Sequence, residues 1–428
     1  MATLLQNMIL VDPLKGARKG HVLVRNGAIS LVEDPSSEEA EERIDGRGHT
    51  ALLPGFVNSH THAAMVLLRG LGEDMVVLDW LHEKIWPVEA KLTGEHVYWG
   101  TCQALLEMAS TGTTCFGDMY FFMDQVAQAS LDMGMRAALS RGILWDASQK
   151  EPPVSLAEQR DLVEKWHGRD GLINVMYAPH APYTVSPEHL EFLAREASDK
   201  GLGVHVHWLE SAWEKEYIEK ELGKDPIKLL EETGLMEAPR LLLAHGVWFP
   251  EDRVEELARK NVTVLHNPGS NLKLGSGIAP VPSMLEKGVQ VALGTDGAAS
   301  NNRLDLWEEM RTAALLHKGA NRDPLAVSAS QAFGMATLEG AKALGFSQVG
   351  RIEEGWEADL LLVNLDQPHY NGWNEENLIP YLVYAGSSAD VEATMVKGRW
   401  IWGAHGSSMK QEEILPQARR CRKELVAS

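Results

Sequence analysis

The chain has 428 residues, 44% hydrophobic and 23% charged, a composition that supports a substantial globular core and excludes a disordered or fibrous protein. Its formal net charge of −20 repels a polyanion over most of its approach, which speaks against nucleic acid as a partner. Three scattered cysteines, Cys102, Cys115 and Cys421, are too few for a disulfide framework or a cysteine-rich zinc knuckle. Residues 1–14 carry no leader-like pattern, and no run reaches the roughly 20 apolar residues of a membrane span. A cytoplasmic protein without a membrane partner is therefore expected.

Residues 4–53 alternate short apolar runs with turn residues. In HVLVRNGAISLVE, Asn26-Gly27 is a hairpin signal between two strand-like segments, so this portion is predicted to be antiparallel β. From Leu52 onward, short apolar runs are each followed by a helical pattern, and they end near His60, Asp118, Arg141, His180, His207, His245, His266 and Asp296. In SPEHLEFLAREASDKG, Ser186 is the expected N-cap, Leu190, Leu193 and Ala197 share one face, and Gly201 terminates. PEDRVEELARKN, opening on Pro250 and acidic residues, is likewise predicted to be helical.

Eight strand–helix repeats imply an α/β fold, a (β/α)8 barrel of the TIM type, whose working residues sit at the C-terminal ends of the strands. The rival, an open doubly wound sheet, lacks its glycine-rich dinucleotide fingerprint. Beyond the barrel, DPLAVSASQAFGMATLEGAKALG reads as helix, and EADLLLVN and EATMVKGRWIW read as strands. The two strand-rich ends are expected to pair as one small discontinuous β-sandwich domain, residues 1–54 with 347–428, beside a catalytic barrel of residues 55–346.

The polar residues at the strand ends carry the chemistry. PGFVNSHTH places His60 and His62 two apart on one side of a strand, a spacing that lets two imidazoles share a metal and that also occurs in structural cores. GVHVHWLES adds His205 and His207 with Glu210 just beyond, LLLAHGVWF adds His245, VLHNPGSN adds His266, and VALGTDGAAS adds Asp296. Singly, a strand histidine is more often a satisfied core residue, and a strand-end aspartate more often a cap. Together at one end of a barrel they leave many desolvated groups unless something such as a divalent cation binds them.

The runs PGFVNSHTHAAM, HVHWLES, LLAHGVWF, HNPGSN and LGTDGAAS resemble the amidohydrolase superfamily, and within it the 5′-methylthioadenosine and S-adenosylhomocysteine deaminases, through nearly the whole chain. The resemblance implies one zinc ion per subunit held by His60, His62, His207 and Asp296. Glu210 would then be the proton carrier, His245 would stand beside the attacking water, and Asp296 would accept its proton. INVMYAPH has no lysine, so the carbamylated bridge of two-metal relatives has no candidate. The resemblance also assigns substrate contacts to Glu89 (two ribose hydroxyls), Arg141 (a carboxylate on the substrate tail) and His180, with Glu210 and Asp296 at the reacting ring. Their structural alternatives are a surface carboxylate, a buried ion pair and a core histidine.

WDASQKEPPVS holds no second arginine, and Arg160 and Arg169 read as helix-surface residues, which leaves smaller 5′-modified adenosines as candidates. Trp80 and Trp86 either stack on a purine or simply pack. EKEYIEKELGKD reads as a solvated face or lid, and Cys102 and Cys115 have no support as nucleophiles.

The expected reaction is hydrolytic deamination of 5′-modified adenosines (5′-methylthioadenosine, S-adenosylhomocysteine, adenosine or 5′-deoxyadenosine) to inosine analogues and ammonia. The alternatives are a deaminase or chlorohydrolase of another heterocycle (guanine, cytosine or a triazine) and, more remotely, a non-catalytic scaffold. The expected partner is a small nucleoside, with homo-oligomer formation left open.

Overall fold

The computed structural model of the chain describes residues 2–408 and 410–426, so the outer ends of the expected 1–54 and 347–428 segments lie outside the described residues. The N-terminal apolar runs form β1 (Ala2–Asp12), β2 (Gly16–Arg25) and β3 (Ala28–Val32). Asn26 and Gly27 join β2 to β3 with φ of 53° and 81°, the pair of positive values that a two-residue hairpin turn of this hand requires. β4 (Glu42–Asp45) and β5 (Thr50–Pro54) lie parallel to β1.

The barrel strands follow: β6 (Phe56–Thr61), β7 (Thr113–Tyr120), β8 (Arg136–Ile143), the interrupted β9 (Ile173–Val175) and β10 (Ala178–Pro179), β11 (Val204–Trp208), β12 (Leu241–His245), β13 (Val262–His266) and β14 (Gln290–Leu293). β6 to β10 form one parallel arc and β11 to β14 another. A parallel bridge between Tyr177 and Val204 joins them on one side, and Asp296 N donating to His60 O joins them on the other. β6 and β7 are buried at every residue, as strands of a closed parallel sheet covered by helices must be.

The chain then returns to the first sheet. β15 (Leu360–Asn364) pairs antiparallel with β5, and β16 (Val391–Val396) and β17 (Arg399–Gly403) follow, giving the order β17-β16-β15-β5-β1-β2-β3 with β4 on β1. Leu5, Met8, Val22, Leu360, Leu362 and Met395 from both ends of the chain share one core, so neither end has a complete apolar interior alone. Arg136 at the start of β8 is buried and donates from Nε and Nη2 to Asp359 at 2.8 and 2.9 Å, tying barrel to sheet.

Helix Pro187–Asp199 forms as expected, with Ser186 Oγ accepting from His189 N and Gly201 at φ 68°. Residues 250–261 differ from the prediction, holding only a short 3-10 turn, Val254–Leu257. Arg253 sits at φ −121°, ψ 0° with its guanidinium on Asp225 and Glu256, and so few residues cannot sustain a helix against such tertiary pairing. The expected helix over 323–345 is two helices, Ala329–Met335 and Leu338–Ala343, because the Ala336 carbonyl leaves the helical ladder to accept Val57 N of β6. The C-terminal portion also adds a helix unforeseen in the sequence, Gln411–Val426, whose Ile414, Ala418, Cys421 and Leu425 pack into the core beside Leu105 and Val97. Among the described residues, no helix is long and apolar enough to cross a membrane.

Candidate active site

Closing the barrel brings the ends of β6, β11, β12 and β14 to one point. β14 approaches β6 so closely that a Cβ on Gly294 would lie 2.8 Å from His60 N, which only glycine avoids. His60 Nε2 lies 3.4 Å and His62 Nε2 3.2 Å from Asp296 Oδ1, and His207 Nε2 lies 3.3 Å from His62 Nε2. Donors about 2.0–2.1 Å from a shared zinc-sized ion stand roughly 3 Å apart, so these spacings fit a common cation.

Each imidazole is oriented through its other nitrogen. His60 Nδ1 meets His205 Nε2 at 2.9 Å, His62 Nδ1 meets Met119 O at 2.5 Å, and His207 Nδ1 meets His180 O at 2.9 Å. Carbonyl acceptors fix the Nδ1–H tautomer on His62 and His207 and turn the Nε2 lone pairs inward, the usual support of a metal-binding histidine. His60 Nε2 is buried and, among the described residues, has no hydrogen-bond partner. Burial pushes His60 down to about 4, keeping its lone pair free. Burial also opposes a proton on His62, but Asp296 outweighs it and draws that imidazole up to about 9; the carboxylate calls for a positive charge at this point.

Asp296 is aimed by its backbone, at φ 61°, and by two hydroxyls. Ser270 Oγ and Ser300 Oγ donate to its Oδ2 at 2.7 and 2.8 Å, leaving Oδ1 for the cluster. Asp118, fully buried, accepts from Ala63 N and Thr61 Oγ1 and so braces the exit of β6 that carries His62. His245 Nδ1 meets Asn271 Oδ1 at 2.9 Å, so its Nε2 faces the site, 3.9 Å from Glu210 Oε2. Burial raises the Glu210 carboxyl above its ordinary range, with His245 opposing, which suits a group that must carry a proton.

Above the cluster opens a cavity of about 100 Å³. Glu89 and His180 line it, as do Trp80 and Trp86. A π-turn, Leu81–Ile85, leads into the short helix Trp86–Glu89, where the Glu89 carboxylate accepts Tyr120 OH at 2.7 Å and burial raises its pKa. Burial holds His180 down to about 4, and its Nδ1 meets Thr184 Oγ1 at 2.9 Å.

Two expected groupings are not formed. Arg141 does not line this cavity: its Nε donates to Glu158 at 2.6 Å and its guanidinium lies over Phe121, whose ring stands at the cavity wall. In this structure its guanidinium is paired with Glu158 on the outer side. His266 likewise faces His317, at 3.1 Å, rather than the cluster. Residues that sequence reasoning passed over include Tyr120, Ser270, Asn271 and Ser300. The last three lie inside HNPGSN and GTDGAAS, but hydroxyls and amides in loops are too common to single out.

A closed barrel with imidazoles and a carboxylate converging at its C-terminal mouth defines a metal-dependent hydrolase. The amidohydrolase family profile matches residues 51–401. The chain is 45% identical over 398 residues to a 5-methylthioadenosine/S-adenosylhomocysteine deaminase of Dictyoglomus thermophilum, covering 92% of each chain. It is 43% identical to a 5′-deoxyadenosine deaminase of Methanosarcina acetivorans, covering 98% of this chain and 97% of the other. The crystal structure of a zinc-bound adenosine deaminase from Xanthomonas campestris superposes with a TM-score of 0.93 at 33% identity, covering 100% of this chain and 99% of that one. The chain belongs to the amidohydrolase family and, within it, to the 5-methylthioadenosine/S-adenosylhomocysteine deaminases.

Proposed function

We propose that this protein is a zinc-dependent aminohydrolase that converts 5′-modified adenosines to the inosine analogues and ammonia, with His60, His62, His207 and Asp296 holding the metal. The observation that carries this reading is the convergence of four donors, with Asp296 Oδ1 3.4 Å from His60 and 3.2 Å from His62 and with His207 3.3 Å from His62, at the floor of a cavity whose walls hold Glu210 and Glu89. A zinc ion held by these four residues would supply Lewis-acid activation of water.

The chain's own residues supply the rest. Asp296 accepts the proton released by the attacking water, and His245, held by Asn271, steadies that oxygen through Nε2. Glu210 donates a proton to the ring nitrogen next to the amino-bearing carbon, so negative charge does not build on the purine; Asp296 then passes the water-derived proton to the amino group, which departs as ammonia, and Glu210 takes the proton of the new hydroxyl as the carbonyl forms. Glu89, its other oxygen fixed by Tyr120, accepts from the ribose hydroxyls, and His180 stands beside it. Arg141 being paired elsewhere, no lysine or arginine lines the cavity among the described residues. Methylthio and deoxy 5′ groups therefore suit it better than the ammonium and carboxylate of a homocysteine tail, whose desolvation would go uncompensated. Three free, buried cysteines accord with a reducing cytoplasm.

The test is ammonia release from adenosine, 5′-methylthioadenosine, 5′-deoxyadenosine, S-adenosylhomocysteine and free adenine, with zinc measured on the same sample. We expect turnover of the nucleosides, S-adenosylhomocysteine slowest among the 5′-modified ones, and a loss of about 100- to 10,000-fold in Glu210→Gln with the metal retained. Preference for the free base, or full turnover in Glu210→Gln, refutes the assignment.

A further inference from the structure

The Glu210 carboxyl has no hydrogen-bonding partner of its own among the described residues, and its nearest ionic neighbour, His245 Nε2, is 3.9 Å away. Its aim into the cavity therefore depends on the backbone turn that carries it. That turn is unusual: Leu209, a bulky residue, sits at φ 55°, in the left-handed region that side chains normally avoid. Something must hold it there.

The restraint comes from Glu214, four residues on. The stretch EKEYIEKELGKD, expected as a solvated face or lid, turns its first residue inward: Glu214 is 1% exposed. Its Oε1 accepts Leu209 N at 2.8 Å and its Oε2 accepts Glu210 N at 2.9 Å, while Ser211 Oγ caps Glu214 N at 3.2 Å. One carboxylate thus grips two consecutive amides of the turn. On the opposite side Leu209 O accepts Trp248 N at 3.1 Å, but among the described residues only Glu214 holds the amide of Glu210 itself. A glutamate buried to this degree merely to close a surface turn would be a costly choice, since an amide or hydroxyl could cap it.

We infer that Glu214 is a positioning residue for the reaction: it locks the Leu209–Glu210 turn so that the Glu210 carboxyl meets the substrate ring without rearranging. This rests on the reading of Glu210 as proton donor. Displacing a proton-transfer group by about an ångström costs on the order of 100-fold, and loss of an outer support for a reacting group typically costs about 10- to 100-fold.

The test compares Glu214→Ala, Glu214→Gln and Glu210→Gln on 5′-methylthioadenosine, with kcat, KM, zinc content and thermal midpoint measured for each. For Glu214→Ala we expect kcat to fall about 10- to 100-fold, with KM within about threefold and zinc unchanged. Glu214→Gln keeps one acceptor oxygen and should recover part of that loss. If both Glu214 variants keep kcat within about twofold of wild type while Glu210→Gln is inactive, this inference fails and the function stands. If both lose zinc, substrate binding and thermal midpoint together and to the same degree, the role is only structural and the inference fails. Should Glu210→Gln itself turn over normally, it is the assignment of Glu210 that falls.

Discussion

Removing the two hydroxyls that hold Asp296 should weaken the metal site, and by unequal amounts. Ser270 Oγ has Asp296 Oδ2 as its partner, at 2.7 Å. Ser300 Oγ, by contrast, divides its single proton between Asp296 Oδ2 at 2.8 Å and Gly297 O at 3.0 Å. A hydrogen bond to a charged acceptor is worth about 1.5–3 kcal/mol, which is roughly 10- to 150-fold in an equilibrium constant. Ser270→Ala should therefore weaken zinc affinity by about tenfold or more, and Ser300→Ala by less. Once Ser270 is gone, Ser300 can commit its proton wholly to Asp296, so the double variant should lose more than the product of the two single effects. Chelator competition gives the affinities, and ammonia release at saturating zinc gives kcat. A double variant with wild-type affinity, or a Ser300→Ala loss larger than that of Ser270→Ala, would refute the idea that Oδ2 is anchored so that Oδ1 can bind metal.

Two further predictions concern stability. Burial outweighs the hydrogen bonds from Gly269 N and Asn301 Nδ2 and lifts Glu309 to about 7 from an ordinary value of 4.5. The unfolded chain releases that proton first, so this group's contribution is complete below about pH 4.5 and declines by about 3 kcal/mol as pH rises to 7. Urea denaturation between pH 5 and pH 8 should show a shallower decline in Glu309→Gln, and a steeper one would contradict the sign. Asp359→Ala takes the two-point partner from the buried Arg136 guanidinium, which keeps Glu357 and the Gly171 carbonyl, and should cost less than the roughly 3–5 kcal/mol of a fully stranded buried charge, whereas replacing both partners by apolar residues should restore most of it. Equal losses in the single and double variants would show that the pair is not what couples barrel to sheet.

Much of the site was legible before folding is considered. A polar residue that ends an apolar run at the C-terminal end of a parallel strand has few structural uses, and the period of two put His60 and His62 on one side. Glu89 and His180 indeed stand in the cavity wall. The direction of Arg141 was not legible, because the same strand-end position serves a guanidinium facing either way, and the Glu158 it pairs with is far off in the local pattern. Residues 250–261 had helical composition, but propensity amounts to a few tenths of a kcal/mol per residue and yields to tertiary pairing.

What the amino-acid order determined by itself was the alternation of strand and helix, the Asn26-Gly27 turn and the identity of the donor groups, all of which depend on neighbours within a few residues. What only the tertiary structure decided was which groups face each other: His205 behind His60, Asn271 behind His245, the paired serines on Asp296, and Glu214 beneath Glu210. Most of these contacts join segments that meet only when the barrel closes, and even Glu214, close in sequence, depends on a left-handed residue whose strain the packed barrel sustains.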